Sequence, residues 1–194
     1  MNELTDRELV LLLQQGNLEA LGHLYDRHQK MVYRTAYAIS GDPDVAADLL
    51  QDVFLRLHRF SARVDAERAL EPWLYRVTAN LAYTWVKRRQ RWFSPLEDLA
   101  EWFKTGGKKN SPQQVVELLD EWRLVDEAIS NLPLPQRMVV VLYYINDLSV
   151  QEIAEILTLP VGTVKSRLHY GRLALRKQLG LEQESLGEVR YEFT

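Results

Sequence analysis

A group of basic and hydrogen-bonding side chains near the C-terminus has the composition expected of a surface that contacts nucleic acid. From Thr163 to Gly180 the sequence contains five lysines or arginines and no acidic residue. Lysine and arginine can neutralise phosphate or bind guanine, and hydroxyl side chains can serve either purpose. The side chains that we expect to face outward here are Thr163, Lys165, Ser166, Arg167, His169, Tyr170 and Arg172. This segment is therefore predicted to contact DNA.

The residues that precede and include this group predict a helix-turn-helix at Ser149–Gln178. Ser149-Val150-Gln151-Glu152 has the sequence of a capping box, which begins a helix. Thr158-Leu159-Pro160 is short enough to form the turn, and the second helix is expected to begin near Val161. The apolar stripe that would pack this second helix consists of Val161, Val164, Leu168, Leu175 and Leu179. The alternative is an ordinary helical hairpin with a solvated basic face, but the cap, the turn length and the charge asymmetry agree on a DNA-recognition helix.

A second basic segment, Trp73–Arg91, combines aromatic residues with arginine and lysine. Such a mixture suits single-stranded DNA, because unstacked bases pack on aromatic rings and phosphates bind cations. Asn80 can form two hydrogen bonds with a base edge. The residues expected to contact DNA in this segment are Arg76, Asn80, Lys87, Arg88 and Arg89. The alternative is that the aromatic residues belong to the protein core and do not contact DNA. This applies at least to Trp73, which follows the spacing of a buried helix face.

Asp48, Gln51 and Asp52 fall at positions i, i+3 and i+4, so they share one face of a predicted helix. Two carboxylates one turn apart repel each other slightly, and their clustering suggests a binding partner. A solvated helix face is the alternative, which is what such charges usually are.

The elements that would position these residues are predicted to be helices throughout. Apolar residues recur at helical spacing along most of the chain, and Ser40–Pro43 and Asp65–Pro72 interrupt the pattern. The segment Thr105–Pro112 contains no apolar residue and is typical of a flexible linker. We predict an all-α protein of two small helical domains joined by a flexible linker, the second being the helix-turn-helix domain. The predicted bounds are 1–95 for the first domain, 96–112 for the linker, 113–180 for the second domain and 181–194 for a polar tail.

The composition argues against several other classes of protein. The chain has 194 residues, a net charge of −3 and no cysteine, which excludes disulfides and thiol chemistry. No apolar run approaches the roughly 18–20 residues that cross a bilayer, so no membrane contact is expected. The four histidines show no metal-ligand spacing, and Gly106-Gly107-Lys108-Lys109 lacks the spacing of a phosphate-binding loop. We therefore predict no catalytic residue, no metal, no cofactor and no enzymatic activity.

Motifs in both halves of the chain resemble a known family. In the N-terminal half they are Asp48–Leu57, Trp73–Ala82 and Lys87-Arg88-Arg89. In the C-terminal half they are Leu132-Pro133, Gln136-Arg137, Leu148-Ser149, Glu152-Ile153-Ala154, Gly162–Leu168 and Gly171-Arg172. In this order and spacing they resemble regions 2 and 4 of the extracytoplasmic-function (ECF) sigma factors, within the sigma-70 family.

The resemblance implies a cytoplasmic promoter-specificity subunit of bacterial RNA polymerase that initiates transcription of a stress- or signal-responsive regulon. It implies that Asp48, Gln51 and Asp52 dock on clamp helices of the largest core subunit. It further implies that the first domain recognises the melted minus-10 element, with one base flipped into a pocket formed by about Phe60–Leu70. The second domain would then recognise the duplex minus-35 element. An anti-sigma factor is expected as a partner by the same analogy.

Two other classes of function stay open from the residues themselves. The chain could be a standalone helix-turn-helix transcriptional repressor, although nothing in it resembles a dimerisation coil. It could also be a helical adaptor whose basic patches bind acidic proteins, although an adaptor would need neither Asn80 nor the capped helix-turn-helix. The tail 181–194 is expected to be disordered, and the alternative is that it folds onto the basic helix as a weak DNA mimic.

Overall fold

The computed structural model describes residues 4–92 and 124–181, and these residues form helices without any β-strand. The predicted linker 96–112 and residues 182–194 of the predicted tail lie outside the described residues. The helices are α1 (Asp6–Gln14), α2 (Leu18–Ser40), α3 (Pro43–Phe60), α4 (Glu71–Trp92), α5 (described over residues 124–130), α6 (Leu134–Val140), α7 (Val150–Leu157) and α8 (Val161–Gln178). We call residues 4–92 the N-terminal unit and residues 124–181 the C-terminal unit.

The turn between α2 and α3 forms where the sequence predicts a break. Gly41 ends α2 in the left-handed region with φ 72°, a conformation that glycine adopts without steric cost. Asp42 then caps α3, because its carboxylate accepts hydrogen bonds from the backbone N–H groups of Asp44 and Val45. Pro43 occupies the first turn, where its fixed φ suits a helix. The α2 and α3 helices therefore pack as an antiparallel pair.

Helix α1 begins at a capped N-terminus and is attached to α2 by ion pairs and buried apolar side chains. Thr5 and Glu8 form a capping box. Asp6 pairs with Arg27, and its carboxylate accepts a hydrogen bond of 2.6 Å from Nε2 of the buried His28 of α2. The apolar side of α1 enters a core with α2, α3 and α4, whose most buried members include Leu9, Val10, Leu24, Val32, Val53, Leu57, Leu70 and Leu74. This core sets the positions of the two long helices that carry the predicted binding residues.

The C-terminal unit consists of short helices. Helix α6 continues into a five-residue π-helical turn, Val141–Ile145. The apolar spacing of the sequence predicts helices in general and does not indicate this change of helix type. Helices α7 and α8 follow, and their inner sides share a core with α6 that includes Val139, Leu142, Ile153, Val164 and Leu168.

The two units pack against each other through a shared apolar cluster. Ala36, Ala79 and Ala82 of the N-terminal unit lie in one cluster with Leu134 and Met138 of the C-terminal unit. The small alanine side chains allow the larger side chains of α6 to approach α2 and α4 closely. The predicted domain bounds stay a prediction. Residues 4–92 and 124–181 are in contact through this apolar cluster. Among the described helices, none is long and apolar enough to cross a membrane.

Candidate nucleic-acid interface

The first helix of the predicted helix-turn-helix, α7, has a capped N-terminus and ends in a left-handed residue that begins the turn. The Ser149 hydroxyl accepts a hydrogen bond from the backbone N–H of Glu152, and the Glu152 carboxylate accepts one from the backbone N–H of Ser149 at 2.8 Å. Thr158 ends the helix with φ 54°, and the N–H of Leu159 donates to the carbonyl of Ala154 at 2.9 Å. This reversal directs the chain into α8 after a single turn, as the sequence predicts.

The inner side of α8 fixes the orientation of the helix. Val164 and Leu168 are buried. Gly171 is also buried, and a Cβ atom added there would lie 2.7 Å from a methyl group of Val140 in α6. The two helices are therefore in contact at a point where no side chain fits. Val161 differs from its predicted place in the stripe, because it lies in the first turn of the helix and is 39% exposed.

The outer side of α8 presents the predicted DNA-contacting side chains. Lys165, Ser166, His169 and Tyr170 are exposed, while Thr163, Arg167 and Arg172 are half-buried. The rings of His169 and Tyr170 meet edge to face with centroids 5.4 Å apart. The more exposed group thus lies on the side of α8 away from the core, and the half-buried arginines lie closer to the flanks of the helix.

Helix α4 carries the second predicted DNA surface along one exposed side. Arg76, Asn80 and Lys87 are exposed and separated by four and seven residues, so they follow one stripe. Tyr83 lies on the same stripe, and the ammonium group of Lys87 is 6.0 Å from the centroid of its ring. Arg88 is exposed beside this stripe. A cationic stripe with an exposed aromatic ring is suited to a single nucleic-acid strand.

Arg89 stands apart from that stripe. Its guanidinium lies 3.6 Å from the carboxylate of Asp42 and 5.2 Å from the centroid of the Trp85 ring. Asp42 is also the N-cap of α3, so this ion pair joins the end of α4 to the start of α3. The sequence predicts a DNA contact for Arg89 and does not predict this pairing.

Arg76 is engaged by the C-terminal unit. Its Nη2 donates a hydrogen bond to the carbonyl of Glu155 at 2.7 Å, and its Nε donates to the carbonyl of Ile156 at 3.2 Å. Both carbonyls belong to the last turn of α7, where the helix dipole is negative, and the carbonyl of Glu155 also accepts a hydrogen bond from the N–H of Thr158 at 3.3 Å. The structure thus places a predicted minus-10 contact against the helix-turn-helix.

The predicted polymerase-docking residues form an exposed surface on α3. Asp48, Gln51 and Asp52 are all exposed on the side opposite the core. Leu55 extends the same face and is 62% exposed, which makes it an apolar neighbour of the carboxylates. Sequence analysis did not single out Leu55, although its position three residues after Asp52 is the signal that could have found it.

Sequence analysis also missed the structural part played by Arg137. This buried side chain donates to the carbonyl of Ile39 at 2.8 Å and to the carbonyls of Ser130 and Leu132. It therefore pairs the C-terminal end of α2 with the end of α5, and burial lowers the pKa of its guanidinium. The position of Arg137 shortly after Pro133 and Pro135 is a weak signal for such a cap.

One group of metal-ligand residue types lies in the N-terminal unit. Ligand atoms of Asp6, His28 and Glu71 all lie within 4.8 Å of one another. Asp6 is already paired with Arg27 as well as with His28. These pairs account for the proximity of Asp6 and His28, because they attach α1 to α2.

Comparison with known proteins supports the family expected from the motifs. The family model described as Sigma-70 region 2 matches residues 24–92, and the one described as Sigma-70, region 4 matches residues 122–175. The ECF RNA polymerase sigma factor SigW of Bacillus subtilis is 31% identical over 183 residues, covering 91% of this chain and 98% of that relative.

Two solved structures have a similar fold. CnrH, solved in complex with the cytosolic domain of CnrY, matches with a TM-score of 0.66 and 24% identity, covering 91% of this chain and 98% of that chain. The sigma factor RpoE of Bartonella quintana, solved in complex with the anti-sigma factor NepR, matches with a TM-score of 0.62 and 22% identity, covering 84% and 98%.

Proposed function

The chain belongs to the ECF sigma factors of the sigma-70 family, which are promoter-specificity subunits of RNA polymerase, and we propose a division of its work between α3, α4 and α8. In this proposal α3 docks on the polymerase core, α4 recognises the melted minus-10 strand and α8 recognises the minus-35 duplex. Family membership favours this function over a standalone repressor. In this proposal the chain recognises DNA, and the core enzyme catalyses phosphodiester bond formation. We expect the chain to act in the cytoplasm.

The observation that carries the proposal is the geometry of α8. Its inner side is buried at Val164 and Leu168, and its outer side is exposed and basic. A helix fixed on one side and cationic on the other is suited to the major groove. We assign base contacts to the exposed Lys165, Ser166, His169 and Tyr170 and phosphate contacts to Thr163, Arg167 and Arg172.

The assignment is tested by titrating minus-35 variants against three substitutions at two salt concentrations. Ser166→Ala and Tyr170→Ala should each relax base preference at one position, with a loss of about 1–3 kcal/mol on the preferred sequence. Arg172→Ala should weaken binding to all minus-35 sequences alike. It should also lower the slope of log affinity against log salt concentration by roughly one unit. A change of base preference in Arg172→Ala, with only uniform losses in the other two, would reverse the assignment. If none of the three affects promoter binding, α8 does not recognise DNA.

Docking by α3 is supported by the exposure of Asp48, Gln51 and Asp52 and by the adjacent Leu55. The double substitution Asp48→Lys and Asp52→Lys should weaken binding to the core enzyme while leaving the circular dichroism spectrum unchanged. Asp26→Lys is the matched control, because Asp26 is an exposed acid on α2 outside this face. Unaltered core affinity in the double variant would contradict the docking surface.

We also propose that an anti-sigma factor covers both DNA-contacting units and the acidic face of α3 in the resting cell. RpoE of Bartonella quintana is solved with such a partner, and that likeness supports the proposal by analogy. Affinity purification from unstressed cells should recover the chain with an inhibitor protein. Recovery of the chain entirely on polymerase, with no inhibitor, would contradict the proposal.

A further inference from the structure

We propose that α1 positions the segment between α3 and α4, so that side chains of α1 that do not contact DNA control recognition of one minus-10 base. We call residues 61–70 the α3–α4 segment. The positioning residues are Gln14 and, with a smaller effect, Arg7. This inference rests on the proposed recognition of the minus-10 strand by α4, because the α3–α4 segment leads directly into that helix.

The side-chain amide of Gln14, the last residue of α1, holds the first half of the α3–α4 segment. Its Nε2 group donates a hydrogen bond to the carbonyl of Ser61 at 3.1 Å and another to the carbonyl of Val64 at 2.9 Å. The primary amide carries two hydrogens, so it can serve both acceptors. Ser61 begins a short 3₁₀ helix, Ser61–Arg63, and Val64 follows its last residue. One side chain of α1 therefore fixes both ends of this turn.

An ion pair holds the second half of the α3–α4 segment. Nε and Nη2 of Arg7 both donate to Oε1 of Glu67, at 3.0 and 2.7 Å. Both side chains are largely exposed, so the pair contributes less than a buried contact would. The carboxylate of Asp65 accepts a hydrogen bond from the backbone N–H of Glu67 at 3.0 Å, which fixes the turn between them. Helix α1 thus contacts the segment at three successive points.

Helix α1 can act as a fixed reference because it is itself anchored. Leu9, Val10 and Leu13 are buried in the same core as Val64 and Leu70 of the α3–α4 segment. The pairs of Asp6 with α2 hold the other end of the helix. The polar contacts of α1 therefore set where the exposed part of the segment lies between its two buried residues.

The α3–α4 segment and the end of α3 carry groups that can bind a single strand. The guanidinium groups of Arg59 and Arg63 lie 5.7 and 5.6 Å from the centroid of the Phe60 ring. Both arginines are exposed, and residues 53–64 contain no acidic residue. Guanidinium groups bind phosphate, and aromatic rings stack on bases. Because Arg63 belongs to the turn that Gln14 fixes, its position beside Phe60 depends on α1.

The test combines Gln14→Met with single abasic sites in a minus-10 strand. The probe is a fluorescent single strand that the parent holoenzyme, core plus full chain, selects from a random pool. In the parent, loss of the base at one position should lower affinity about tenfold. Gln14→Met should lower affinity for the intact strand about fivefold. It should lower affinity less than about twofold when that one base is already absent, because the two losses share a cause.

Two controls separate position from charge and from folding. Gln15→Met changes the neighbouring exposed residue and should leave every affinity as in the parent. Arg7→Glu should weaken binding of the intact strand about twofold. The reversed pair, Arg7→Glu with Glu67→Arg, keeps the net charge and should restore most of that loss. Circular dichroism confirms that each variant keeps its helix content.

Amide hydrogen exchange of the full chain, without DNA or polymerase, tests the positioning alone. In Gln14→Met the amides of residues 62–67 should exchange several-fold faster, while those in the middle of α3 keep the parent rates. Unchanged exchange in the segment would overturn the inference. So would an equal loss of affinity in Gln14→Met for the intact strand and for every abasic strand. If the parent has no position that is sensitive to base loss, the proposed minus-10 recognition fails, and the inference fails with it.

Discussion

Three of the four α-helices of the N-terminal unit are long, whereas α6 and α7 of the C-terminal unit are short. Helices α2, α3 and α4 contain 23, 18 and 22 residues, whereas α6 and α7 contain 7 and 8. Long helices can bury continuous apolar stripes, but a helix of two turns leaves most of its backbone groups near an end. The C-terminal unit accordingly depends on hydrogen bonds at helix ends, including those of Arg137, and on the close contact between α6 and α8 at Gly171. The comparison indicates that point substitutions at such ends should cost more in the C-terminal unit.

Replacement of the buried arginine is expected to have the largest effect. Arg137→Met leaves the carbonyls of Ile39, Ser130 and Leu132 without their donor, and we expect a loss of about 3 kcal/mol in the free energy of unfolding. Urea denaturation measures the loss. Arg176→Met in α8 is the control, since Arg176 is exposed and should cost less than about 0.5 kcal/mol. Equal losses in both variants would show that the hydrogen bonds of Arg137 contribute little to the stability of the fold.

The next largest effect is expected at the contact between α6 and α8. In Gly171→Val the new side chain collides with Val140, which is itself buried, so the helices must move apart at a cost of about 2 kcal/mol. Gly162→Ala in the same helix is the matched control, because nothing lies within 4 Å of its added Cβ. It should be neutral or slightly stabilising in thermal unfolding. If Gly171→Val left the stability unchanged, α8 would not be packed against Val140 as closely as the structure shows.

The two capping boxes allow the same substitution to be compared in each unit. Ser149→Ala should cost about 1 kcal/mol, because α7 has only eight residues. Thr5→Ala should cost about 0.5 kcal/mol, since α1, with nine residues, is also held to α2 by the pairs of Asp6 with Arg27 and His28. Denaturant midpoints of the two variants measure the difference. A larger loss from Thr5→Ala would contradict the proposed dependence of the short helices on their caps.

The smallest effect is a pH dependence that the two boxes share. The hydroxyl and backbone N–H of Ser149 lower the pKa of Glu152, and the backbone N–H and hydroxyl of Thr5 lower the pKa of Glu8, both from an ordinary value of 4.5. A carboxylate with a lowered pKa stabilises the folded state above its unfolded pKa, and this contribution disappears as the pH falls through the folded value. The stability difference between the parent chain and Glu152→Gln should therefore shrink below about pH 4.5. A difference that stays constant during acidification would exclude this contribution.

Much of the fold is predictable because its signals are local. Gly41, Asp42 and Pro43 end one helix and begin another, and Ser149 and Glu152 begin α7, all within a few residues. Fold class and the helix-turn-helix follow from such signals, and the family follows from the resemblance of the motifs; the structure and the comparisons confirm them. The assignment of individual contact residues stays a prediction.

The contacts between the units are not predictable in the same way. Arg76 bonds to backbone carbonyls about 80 positions away, and every residue has a carbonyl, so the sequence marks no partner. Arg137 has the same difficulty with Ile39. The π-helical turn Val141–Ile145 is apolar at helical spacing, so periodicity does not distinguish it from an ordinary α-helix. What escapes prediction is therefore long-range pairing with backbone and the fine type of helix.

The separation of inner and outer sides on α8 has a consequence for how such proteins diversify. Gly171 and the buried Val164 and Leu168 hold the helix in place, whereas the outward side chains contribute little to the core. Substitutions at Ser166, His169 or Tyr170 can then accumulate without changing how the helix is mounted. Under the proposed base contacts of α8, one copy could acquire a new set of target promoters after gene duplication through a few surface mutations while its fold stays intact.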